Sequence, residues 1–155
     1  MNDIIVSIDR SDAARRALQT AAELATSSGA NLHVVMRAER TRPVDVAVGT
    51  DRFHGDWFAD AEQFVVNATA KLRVPSITSA VALGDPVSVL CEEAERLRAR
   101  LIVVGNRRGS GMSRVFGSVT RRVVRRASCA VFVAAVSDGP TVPMFGRTAA
   151  AGGMA

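Results

Sequence analysis

The chain has 155 residues, 48% of them apolar, with a formal net charge of +5. That length and apolar share suit one domain whose core stands without a metal or disulfide staple, and no apolar run approaches the ~20 residues that cross a bilayer. All of the basic residues except Lys71 are arginine, which suits phosphate forks but also a GC-rich coding bias, so charge alone argues only weakly for a polyanion partner.

Ile4-Ile5-Val6-Ser7-Ile8 is a short β-branched run and predicts a first strand that Asp9 closes. It starts almost at the N-terminus, with no basic and apolar leader ahead of it, so a soluble cytoplasmic protein is expected. Ser11 follows as an N-cap and Asp12 favours the dipole of a helix carried by Ala14, Leu18, Ala21 and Ala25, which ends near Gly29. Leu32 to Met36 predicts strand two. Residues 38–56 hold Pro43, Gly49 and Gly55 and read as a long irregular loop. Phe58, Ala61, Val65, Ala68 and Leu72 mark a second helix that Pro75 stops, with Trp57 and Phe58 as its anchor.

Residues 76–83 alternate weakly and predict a third strand. Asp85 then caps a helix with Pro86 at its first position and Val87, Leu90, Ala94 and Leu97 on its inner face. Leu101 to Val104 predicts strand four, a fourth helix starts near Gly117 or Ser118, and Ala130 to Val136 predicts strand five. The domain is expected over residues 1–136, and the Gly-, Pro- and Ala-rich tail, residues 137–155, is expected to be disordered. Strands alternating with helices imply a parallel sheet covered on both faces, with a ligand outside the carboxyl ends of the strands at the switch point. Asp9 and Gly105 are candidates for that crevice.

The densest functional signal is Leu101-Ile102-Val103-Val104-Gly105-Asn106-Arg107-Arg108-Gly109-Ser110-Gly111, followed by Phe116-Gly117-Ser118-Val119-Thr120. A strand, a glycine-rich loop and a helix start in that order offer backbone N–H groups to a phosphate. The loop after strand one contains no glycine, which argues against the dinucleotide fingerprint, and no Lys-Ser/Thr pair makes a Walker loop. His33 and His54 have no acid or cysteine spaced for a triad or metal site, so no catalytic residue and no metal site is expected. Cys91 and Cys129 lack a CxxC partner and read as small buried hydrophobes in a reduced protein. Arg121, Arg122, Arg125 and Arg126 fall on one face of the last helix, which reads as a solvated basic face rather than a nucleic-acid surface, since no aromatic residues are interleaved.

Ile4 to Asp9 with Ser11, Gly84-Asp85-Pro86, Leu101 to Gly105, Gly117-Ser118-Val119 and Ser128-Cys129-Ala130-Val131-Phe132-Val133 together resemble universal stress protein (UspA-type) domains, over about residues 3–136. The resemblance implies a single doubly wound α/β domain, a five-stranded parallel sheet of order 3-2-1-4-5 with helices on both faces, and a homodimer through Ala130–Val136. It also implies an ATP-binding stress-response module, with possible Mg2+ accompanying the nucleotide; no residue reads as a positioned base for water, so ATP hydrolysis is expected to be very slow at most. Nucleotide-binding members carry G-x2-G-x9-G-[ST]. Here Gly105 matches the first glycine and Gly117-Ser118 the last pair, while Arg108 replaces the second glycine, the loop is one residue shorter, and Gly109 or Gly111 would supply the turn. Carried over, the ATP site comprises Ser7, Ile8 and Asp9, then Met36 and Arg37 near adenine. Val104, Gly105, Arg107, Arg108, Gly109, Gly111, Gly117, Ser118, Val119 and Thr120 complete it around the phosphates. Arg10 and Arg108 depart from the family pattern, so the alternative is a dimeric UspA-type interaction protein that holds no nucleotide or a cyclic one.

Overall fold

The computed structural model describes residues 3–38, 46–48, 51–53, 57–106 and 117–135. Its elements run β1 (Asp3–Ile8), α1 (Asp12–Ser28), β2 (Asn31–Arg37), β3 (Val46–Val48), β4 (Asp51–Phe53), α2 (Trp57–Thr69), β5 (Ile77–Ala82), α3 (Pro86–Leu97), β6 (Leu101–Asn106), α4 (Ser118–Arg126) and β7 (Ala130–Ala135). The five long strands form one parallel sheet in the order β5-β2-β1-β6-β7. Counting those five along the chain, this is the order 3-2-1-4-5.

Alternation along each strand sorts the core into two layers. Ile4, Val6, Ile8, Leu32, Val34, Met36 and Val103 face α1 and α2, whereas Ile5, Val35, Ile102 and Val104 face α3 and α4. The buried face of α1 is a stripe of alanines, Ala14, Ala17, Ala21 and Ala25, so this helix lies close on β1 and β6. A Cβ added to Gly105 of β6 would come within 2.5 Å of the Ala13 carbonyl oxygen. The glycine is therefore demanded by close helix–strand packing.

The helix ends form as their sequences dictate. The Ser11 hydroxyl accepts from the Ala14 N–H at 3.2 Å, and Gly29 closes α1 at φ +65°. The Asp85 carboxylate accepts from the Ser88 N–H at 3.1 Å, with Pro86 opening α3. Beyond shifts of a single residue at strand ends, the elements differ from expectation in three places. The stretch 38–56, expected to be irregular throughout, contains the antiparallel pair β3–β4. Helix α2 stops at Thr69 instead of reaching Leu72, and β6 extends past Val104 to Asn106. Val136 and the tail from Ser137 lie outside the described residues, as does His54.

Both cysteines are free thiols in the α3/α4 layer, and burial raises the pKa of each. His33 lies buried in β2, its Nδ1 2.6 Å from the Thr78 hydroxyl, while its buried Nε2 has no hydrogen-bond partner among the described residues.

Candidate functional site

The β1–β6 ladder begins at Ile4↔Leu101 and ends at Val6↔Val103. On either side the ladders run on, to Ile8↔Met36 between β1 and β2 and to Asn106↔Ala135 between β6 and β7. The two middle strands therefore part company at their carboxyl ends. That parting is the switch point of the sheet, where α1 leaves for one face and α4 for the other.

The residues expected to meet a ligand gather around this opening unequally. From β1 come Ser7, half-buried, Ile8, buried, and Asp9, exposed just beyond the strand. Met36 and Arg37 end the neighbouring β2, with Met36 buried and Arg37 half-buried. Val104 is buried, so its backbone rather than its side chain borders the opening. Arg107, Arg108, Gly109 and Gly111 lie outside the described residues.

Gly117 behaves differently from Gly105. It has no atom within 4 Å of an added Cβ, it sits at φ −53° and ψ 156°, and it caps α4 with no side-chain hydrogen bond. Its N–H donates to the Asn106 side-chain oxygen at 3.3 Å, which anchors the helix start to the end of β6. Asn106 was not among the expected site residues; its position beside Gly105 at a strand end was the available signal. The Thr120 hydroxyl is buried and donates to the Gly105 carbonyl at 3.4 Å, so it braces the site from below. Ser118 and Val119 are exposed. None of the described residues accepts from the N–H groups of Ser118, Val119 or Thr120, whereas α1 and α3 carry side-chain caps. The start of α4 thus places these N–H groups, unclaimed among the described residues, and the positive end of a helix dipole beside the opening.

Asp9 accepts from the Ser11 N–H at 2.7 Å, the local role open to an acid ahead of a helix. It also borders a cleft of about 350 Å³ that runs between α1 and α2, with Ile8, Ala14, Leu18, Phe64 and Ala68 along its apolar wall. The Arg10 guanidinium lies 4.8 Å from the Phe64 ring centroid at this cleft. Arg10 and Phe64 were not expected at the site, and the cleft includes none of the α4 residues.

The arginines of α4 do not form one free basic face. Arg122 forks onto Asp85 at 3.0 and 2.9 Å, and Arg126 bonds the Ser88 hydroxyl at 2.6 Å and reaches Glu92 at 3.5 Å. The Arg122 fork is the main cause that holds the Asp85 carboxyl below its ordinary value, with the Ser88 N–H second. Arg121 and Arg125 stand exposed on the other flank. Among the described residues no group of three or more His, Cys, Asp or Glu is placed to hold a metal ion. Nor is any described helix long and apolar enough to cross a membrane.

A parallel sheet of this order, parted at its switch point and covered by helices on both faces, defines a doubly wound α/β domain. Residues 1–135 match the universal stress protein family, and the chain belongs to that family. It is 29% identical over 136 residues to "Universal stress protein A homolog 1" of Coxiella burnetii, covering 83% of this chain and 92% of that protein. A universal stress protein structure from Archaeoglobus fulgidus superimposes with a TM-score of 0.67 at 26% identity, over 86% of this chain and 98% of that one. Another, solved in complex with cAMP, has a TM-score of 0.63 at 27% identity and covers 85% of this chain and 95% of the other.

Proposed function

We propose that this protein binds an adenine nucleotide, foremost ATP, at the parting of β1 and β6 and serves as a regulatory module of the stress response in the cytoplasm. The observation that carries the reading is the uncapped start of α4 beside the unzipped ends of β1 and β6. Its first N–H groups and dipole suit phosphate, and a Cβ added to Gly117 would meet no described atom within 4 Å. Asp9, Met36 and Arg37 supply the base or ribose side, Val104 and Gly105 the floor, and Ser118, Val119 and Thr120 the phosphate side. Arg107 and Arg108 neutralise the phosphate charge, with Mg2+ as a companion of the ligand. On this reading the protein is a binder rather than a metabolic enzyme and hydrolyses ATP slowly at most.

A second reading, a dimeric interaction protein that holds a cyclic nucleotide or none, draws on Gly105. Its missing side chain answers to α1, so this glycine does not by itself argue for a phosphate. The relative solved with cAMP suits the cyclic form of that reading.

Calorimetric titration of nucleotide-free protein with ATP, ADP and cAMP separates these. ATP binding that is lost in the Gly117→Val, Ser118→Ala double variant supports the site. Unchanged affinity in that variant removes the assignment, and no binding by the native chain favours the interaction module.

A further inference from the structure

Helices α3 and α4 lie side by side on one face of the sheet and are laced by polar side chains, from the N-cap to the middle of α3 and along the second half of α4. Arg122 reaches from the second turn of α4 to Asp85, the N-cap of α3, with both guanidinium Nη atoms on both carboxylate oxygens. The same carboxylate accepts from the Ser88 N–H and from the Ser88 hydroxyl, at 3.1 and 3.2 Å. Arg126, one turn further along α4, closes the lacing on Ser88 and Glu92. A two-pronged fork fixes direction as well as distance, because both N–H groups must stay in the plane of the carboxylate.

The fork grips α4 at Arg122, one turn beyond the start of the helix, and so sets the angle at which that start meets the sheet. Among the described residues, the first turn is tied to β6 by the Gly117 N–H on Asn106 and the Thr120 hydroxyl on the Gly105 carbonyl, while Ser118 and Val119 are exposed. Beneath them just Thr120 and Val123 of the helix are buried. A nine-residue helix with so narrow a buried face leans on its lateral ties for its angle to the sheet. The fork also occupies both Nη atoms of Arg122, so this arginine is committed to Asp85 and not to a ligand.

We infer that the Asp85–Arg122 pair is a positioning device, which aims the open N–H groups of α4 at the phosphates of the ligand without touching it. The inference rests on the nucleotide reading of the switch point. It goes beyond that reading in giving Asp85 a task at the site across the sheet face, in addition to capping its own helix. Since the pair steers only the phosphate side, its loss weakens a nucleotide and spares the bare nucleoside.

The test measures ATP and adenosine affinity in parallel for the native chain, Asp85→Asn, Arg122→Gln and the double variant. Asn keeps the N-cap of α3 while removing the charged fork. Arg125→Gln, which carries the same charge change on the flank without a described partner, is the control. About fivefold weaker ATP binding in each single variant, no further loss in the double, and unchanged adenosine affinity is the expected pattern. Additive losses, equal loss for adenosine, or an equal loss in Arg125→Gln would overturn the positioning role. Tighter ATP binding in Asp85→Asn would also overturn it, because a released Arg122 would then be contacting phosphate. If the native chain binds neither ligand, the nucleotide reading itself fails and takes this inference with it; if it binds ATP but the variants match it, this inference alone fails.

Discussion

The two glycines that frame the switch point have different tasks. A methyl group on Gly105 would press on the backbone of Ala13, which cannot swing aside as a long side chain could. Gly105→Ala is expected to cost about 1–3 kcal/mol of stability, the range for overpacking a tight contact. Gly117→Ala adds a methyl group to open space at a backbone angle any residue adopts, and should leave the thermal midpoint unchanged. Differential scanning calorimetry of both variants decides the matter, and an equal loss in the two would contradict the packing account. The sequence shows both glycines as punctuation between a strand and a helix. That Gly105 meets Ala13 depends on contact between chain segments far apart, so only the folded chain reveals it. His33 makes a second residue-scale argument. Burial lowers its pKa from the ordinary 6.5, against the opposing pull of Glu93 and Asp3 and with help from Arg96, so the folded protein holds it neutral. The unfolded chain takes up that proton more readily, so its contribution to stability is complete above pH 6.5 and declines as pH falls below it. Asp85, also depressed, acts only below its ordinary 3.8, under the pH range in which His33 is tested. Urea midpoints at pH 7.5 and 5.5 should fall with acidification in the native chain and fall less in His33→Gln. Equal slopes would assign the loss to other groups.

Among the elements, those written in local chemistry were legible and those set by long-range pairing were not. Ser11 before an alanine stripe and Asp85-Pro86 before an apolar stripe mark helix starts that are capped as expected. Alternate residues of β1 and β2 pack into opposite layers, as their apolar runs imply for a sheet covered on both faces. The pair β3–β4 was invisible, because strands of three residues offer no period to read and Gly49 suggests a break. Helix α2 stops short of Leu72 although the apolar spacing continues; Leu72 and Val74 still pack on the core from beyond the helix. The basic stripe of α4 shows the opposite failure. Its spacing is as the sequence implies, but two of its four arginines are bound to α3, and no local pattern in α4 announces Asp85 or Glu92 as their partners.

At the scale of the molecule, the strand order came only from the resemblance, since crossovers are not encoded in any single strand; the parallel ladders bear it out. That order leaves β5 and β7 as the two edges of the sheet, and they are unlike. Strand β5 reads Ile-Thr-Ser-Ala-Val-Ala, with Thr78 and Ser79 exposed at its centre and α2 packed beside it. Strand β7 reads Ala-Val-Phe-Val-Ala-Ala, with Val131, Phe132 and Val133 half-buried, no charge or proline within it, and no strand beyond it among the described residues. An apolar edge of this kind invites a second strand, and pairing with a copy of itself about a two-fold axis satisfies both edges at once. Val124, 52% exposed on the neighbouring α4, would gain cover from the same approach. We therefore expect sedimentation equilibrium to give twice the 16.4 kDa of one chain, with a melting temperature that rises with protein concentration. A single-chain mass that persists at high micromolar concentration, with a concentration-independent melting temperature, would show that β7 is tolerated as a bare edge and that no dimer forms through it.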